Sequence, residues 1–163
     1  MVFESLTRDQ LNFYEKKYSE TASSALQAAR ASGRSAAYLE VARRCFPTLA
    51  GAQATDEAAT RLLDRGEAAL AAKLWLRIIH STIHRNRLNP RLFEKAATSL
   101  FLSGDKDQAR TVVAEAVALF GSVRFTAKSI EVVAKNHPHF ATPVMDSPAS
   151  DPFGDPTNNG ASC

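Results

Sequence analysis

Residues 90–121 read PRLFEKAATSLFLSGDKDQARTVVAEAVALFG, and their spacing decides the fold. Pro90 suits the first turn of a helix, where its missing N–H is one of the unpaired donors anyway. From there Phe93, Ala96, Ala97 and Leu100 recur at three- and four-residue intervals, which is one face of a helix. Gly104 stops that helix and Asp105 can cap the next. Ala109, Val113, Ala116 and Phe120 then carry a second apolar face as far as Gly121. Two helices joined by so tight a turn cannot enclose a core alone, so the pair must stack on others.

Upstream the same grammar repeats. A helix is expected from Thr7 to about Tyr18, with Leu11, Tyr14 and Tyr18 on one face. The chain then continues SETASSALQAARASG, helical in composition, and stops at Gly33. Ser35 opens a helix through Tyr38, Ala42 and Cys45, which Pro47 and the Gly51 region end. Thr55 is expected to cap a short helix, Asp56 to Arg65, closed by Gly66. A longer helix from Glu67 to about Ile83 precedes the loop HRNRLN. Downstream, a last helix spans roughly Phe125 to Asn136 and Pro138 stops it.

The joining glycines keep a period. Gly33 and Gly66 are 33 residues apart, and Gly66 and Gly104 are 38 apart, the longer interval containing the basic loop. A two-helix unit recurring at about 34 residues is the mark of a helical solenoid. The chain thus divides into an N-terminal amphipathic helix (1–19), three helix pairs (20–121), a capping helix (122–140) and a tail (141–163). The tail has four prolines, three aspartates and no lysine or arginine, and is expected to be disordered.

The third pair resembles the tetratricopeptide repeat, with Phe93, Ala96, Ala97, Leu100, Gly104, Asp105, Ala109, Val113 and Ala116 at that family's anchor positions. The second pair is similar through Ala58, Ala59, Leu62, Gly66, Ala71, Trp75 and Ile78, with Thr55 where an aromatic is usual. The first pair matches at Ala25, Gly33, Ala42 and Cys45, with Tyr38 where Ala is usual. The resemblance implies an all-α, right-handed α-solenoid of about three helix hairpins with a capping helix at each end. It also implies a concave groove lined by the first helix of each pair, which holds an extended peptide or a partner helix.

Projecting the register places Gln27, Glu57, Thr60, Arg91, Lys95, Thr98, Phe101 and Leu102 in that groove. Arg91 and Lys95 are one turn apart and share a face, where a carboxylate or phosphate would find two cations. Phe101 and Leu102 read as an apolar anchor for a partner side chain, or as residues buried against the capping helix. Residues 90–109 are also similar to the third repeat of the chaperones for translocator proteins of bacterial type III secretion. Those chaperones are usually acidic, whereas this chain has a pI of about 9.0. The likeness implies an adaptor or a client-holding chaperone of a secretion system, with a homodimer contact through the N-terminal helix. The aromatics Phe3, Phe13, Tyr14 and Tyr18 of the first 18 residues fit either such a dimer or partner contact or packing onto the first pair.

Composition agrees. Alanine fills 28 of 163 positions, while Gly and Pro stand at 7 each, a balance that favours closely packed helices over a β-sandwich. Two cysteines make no disulfide framework, and Cys45 reads as a buried core thiol. No apolar run is long enough for a membrane span and the first residues lack a signal-peptide pattern, so a cytoplasmic setting is expected.

Between Glu67 and Glu94 there is no acid, only Lys73, Arg77, Arg85, Arg87 and Arg91 with His80 and His84. Lys73, Arg77, Arg85 and Arg87 form a candidate basic patch, which supports an alternative reading as an RNA- or polyanion-binding repeat protein. A structural subunit of a larger assembly is a further alternative. His80 and His84 have the i, i+4 spacing metals use, but no carboxylate or thiol is placed with them. No phosphate-cradling glycine loop, HExxH, CxxC or GxSxG occurs. The expectation is therefore a protein-binding module with no catalytic residue, cofactor or metal.

Overall fold

Helix starts follow from side chains that satisfy the first free N–H groups. In the computed structural model, which describes residues 7–121 and 123–136, Thr7 and Gln10 form a reciprocal capping box at the head of α1 (Arg8–Ser32). Asn89 caps α5 (Pro90–Leu102), with Pro90 in its first turn as expected. Asp105 caps α6 (Lys106–Phe120). The remaining helices are α2 (Ser35–Arg44), α3 (Leu49–Asp64), α4 (Ala68–Ile79) and α7 (Ala127–Lys135), with one 3₁₀ turn at Arg85–Arg87. Among the described residues every regular element is helical, so the fold is all-α. No helix among them is long and apolar enough to cross a membrane. The expected disordered tail, 141–163, lies outside the described residues, as do Phe3, His137 and His139.

Three boundaries differ from expectation. First, α3 begins at Leu49, not Asp56, because Thr48 is the cap, accepting from the Gly51 N–H at 3.0 Å. Thr55 lies inside the helix, fully buried, and its hydroxyl donates to the Gly51 carbonyl at 2.8 Å. Gly51 ends nothing. A Cβ there would lie 1.9 Å from the Cys45 carbonyl oxygen, so glycine is what lets α3 start against the end of α2. Second, α4 stops at Ile79 rather than Ile83, and the chain turns so that His84 reaches the connection between α2 and α3. Third, no break separates residues 19 and 20. α1 is one helix of 25 residues, about 37 Å at ~1.5 Å per residue.

Each helix packs on the next, α1 also lies against α3, and α5 also against α7. The largest enclosed side chains are Trp75, Tyr38 and Phe93. Around them Ala54, Ala58, Ala59, Ala71, Ala96, Ala97, Ala109 and Ala116 are wholly buried, as close helix contact requires. Cys45 is buried too, but it is disulfide-bonded where a free thiol is expected from the composition. The core face of α1 begins only at Ala22; from Thr7 to Thr21 no described side chain is buried.

Candidate functional site

Two adjacent acids on α3 reach in opposite directions. Consecutive helical residues point about 100° apart, so Asp56 and Glu57 can serve different neighbours. Glu57 accepts from Arg30 Nε of α1 at 3.0 and 3.2 Å, and its carboxylate also takes Arg30 Nη2. Asp56 Oδ1 accepts from Lys95 Nζ of α5 at 2.6 Å and from Trp75 Nε1 of α4 at 2.7 Å. Thr60 lies one turn on, half-buried, its hydroxyl donating to the Asp56 carbonyl at 2.9 Å. On the flanking helices Gln27 and Arg91 are exposed and Thr98 is half-buried.

The expected groove residues therefore separate into groups. Lys95 does not stand beside Arg91 as a second open cation. It is ion-paired to Asp56 and lies 5.6 Å from the centre of the Trp75 ring. Glu57 is likewise paired within the protein. Phe101 is only 2% exposed, because α7 packs on α5 and places Phe125 and Ile130 in the same core. Leu102 is half-buried against that core. Of the two expected readings, Phe101 follows burial against the core, while Leu102 stays partly open.

The basic stretch is not one patch. Lys73 and Arg85 are exposed. Arg77 instead stacks over Phe46, 3.9 Å from its ring centre. Arg87 reaches Glu15 Oε2 of α1 at 3.1 Å and donates to His84 Nδ1 at 3.2 Å. His84 is wholly buried; its Nε2 donates to the Phe46 carbonyl at 2.8 Å and its ring meets Phe46 edge-on. Burial, then the Arg87 charge, lowers its pKa to about 4, so the ring is neutral at pH 7. His80 turns the other way, to Glu115 of α6 at 3.3 Å. Because α4 ends at Ile79, the i, i+4 pair does not converge on a metal position.

One concavity has no counterpart in the sequence reading. A cleft of about 380 Å³ opens between the end of α4, the following loop and α6. Ile79, Leu88, Phe93 and Leu119 supply its apolar lining, and His80, Glu115 and Arg85 its polar one. The signal in the sequence was Leu88 and Leu119, apolar residues outside the repeating core positions. Periodicity alone does not join a loop residue to a helix 31 positions later.

No protein-family model, curated protein or solved structure matches this chain.

Proposed function

We propose that the protein is a non-catalytic protein-interaction module, a tetratricopeptide-like right-handed stack of helix pairs acting as an adaptor or client-holding chaperone, such as those of bacterial secretion systems. The observation that carries this reading is the pair of ties from α3: Glu57 to Arg30 of α1 and Asp56 to Lys95 of α5. They string the first helix of each pair along one polar face. The positive φ at Gly33, Gly66 and Gly104, where each pair turns, supports the same repeat.

On this reading a partner segment lies across α1, α3 and α5. Gln27, Thr60 and Thr98 offer hydrogen bonds, Arg91 offers an open cation, and the paired Glu57 and Lys95 form the rigid floor. Such a face selects by polar complementarity more than by apolar burial.

The test is affinity purification of the tagged protein from its native cell, with and without nuclease, beside the variant Arg91→Glu with Thr60→Arg. One dominant protein partner that resists nuclease and is lost from the variant is the expected result, with unchanged circular dichroism. A partner retained by the folded variant would remove this face from the site. Loss of all partners with nuclease would favour a polyanion.

A further inference from the structure

We propose that the cleft between α4, the 81–88 loop and α6 is a second docking site, taking an acidic protein segment that inserts one apolar side chain. Its volume of about 380 Å³ lies at the low end of the ~300–1,000 Å³ of small-molecule pockets. That is room for one or two side chains rather than a large cofactor. Ile79, Leu88 and Phe93 line its apolar part. The apolar surface does not end at the mouth: Leu119, on α6 at the rim, is 47% exposed. An open apolar rim beside a cleft of this size suits one side chain carried in on a polypeptide.

Charge selects the segment. No Asp or Glu occurs between Glu67 and Glu94, and the formal charge that α4 and the loop bring to this wall is that of Arg85. The acid on the opposite wall, Glu115, already faces His80. Arg85 is exposed at the cleft and makes no ion pair among the described residues, in contrast to Arg87. An Asp or Glu flanking the inserted side chain would meet the Arg85 guanidinium in a charge-assisted, two-pronged contact. A basic flank would be repelled by the same group.

The experiment uses the full chain and three fluorescein-labelled probes, the amidated peptides Asp-Glu-Phe-Glu-Asp, Asp-Glu-Ser-Glu-Asp and Lys-Arg-Phe-Arg-Lys, read by polarisation. The first should bind, and the other two should be weaker by about tenfold or more, a difference of about 1.4 kcal/mol. Arg85→Glu and Leu119→Ser should each weaken the first peptide severalfold with circular dichroism unchanged. Arg91→Glu, on the other face, should leave it unchanged, which separates this site from the one proposed above. Equal affinity for all three peptides, no binding at millimolar peptide, or full affinity in Arg85→Glu would each overturn the proposal. So would binding of a single-stranded RNA 12-mer that Arg85→Glu abolishes while every peptide fails.

Discussion

Glu15 Oε2 lies 3.1 Å from Arg87 Nη2, a contact between positions 72 residues apart. The same carboxylate accepts from the Leu49 N–H at the head of α3, 3.1 Å from each oxygen. One side chain on α1 therefore ties down both the start of α3 and the basic loop. It does so in the half of α1 that has no buried residue, where side-chain bonds must supply what packing does not.

Glu15→Ala should accordingly lower stability by up to about 3 kcal/mol, the upper end for hydrogen bonds to a charged group. Glu15→Gln should cost less, since an amide oxygen still accepts from Leu49. The sharper readout is local. Amide hydrogen exchange should quicken in the first half of α1, before Ala22, well ahead of α4 and α5. Uniform quickening across all helices would mean that the contact is not specific to α1.

His84 predicts a pH dependence. Its folded pKa of about 4 is below the ordinary value of 6.5, so between these values the unfolded chain binds a proton that the native protein does not. Unfolding free energy therefore rises with pH across that window, and stability is lost as pH falls from 6.5 toward 4. The groups facing the ring fix the direction: burial, Arg87 and Arg77 oppose the imidazolium, while the Phe46 carbonyl and Glu15 favour it. The full effect, complete only below pH 4, is on the order of 3 kcal/mol. Urea midpoints from pH 4.5 to 7.5 should show a slope that His84→Asn largely removes. An unchanged slope in His84→Asn would place the titration elsewhere.

Reach along the chain separates the features legible in the sequence from those that are not. Gly104 and Asp105 were legible because a turn and a cap are local events, each decided within four residues. Alanine spacing at Ala96, Ala97 and Ala109 was legible because one helical face repeats. Glu57 and Thr60 were found as residues of one face, but not the ties that hold it. Lys95 looked open because its partner Asp56 is 39 positions away. Arg87 looked exposed because Glu15 is farther still. Phe101 reads from the sequence either as an anchor or as a residue buried against the capping helix, and its burial in the structure decides between the two.

Gly51 illustrates the same limit, and its test is direct. In sequence it reads as a helix breaker; in the structure it is a contact point between two backbones. Gly51→Ala would drive its methyl group into the Cys45 carbonyl, and main chain cannot swing aside as a side chain can. Strained substitutions of this kind cost roughly 1–3 kcal/mol and occasionally more. Gly104→Ala is the control: its Cβ meets open space, so only the positive φ of 91° opposes it, at roughly 1–2 kcal/mol. Thermal melts should rank Gly51→Ala as the more damaging. The reverse order would mean that α3 slides away from α2 with little loss.

Asp56 joins stability to the proposed interaction face. Its Oδ1 accepts from both Trp75 and Lys95, and Trp75 is the single tryptophan and almost wholly buried. Asp56→Ala leaves the indole N–H without its acceptor and Lys95 without its counter-charge, an expected loss of about 1–3 kcal/mol. Asp56→Asn keeps an oxygen for the indole and removes only the charge. Lys95 is about one quarter exposed, so that partly solvated pair should be worth about 0–1 kcal/mol. The two variants thus separate the hydrogen bond from the ion pair, with tryptophan emission marking the site. A red shift in Asp56→Ala alone would show that the Trp75 bond keeps water out between α3 and α4. If Asp56→Asn loses as much stability as Asp56→Ala, the Lys95 charge dominates, and salt should then weaken the wild-type protein in parallel.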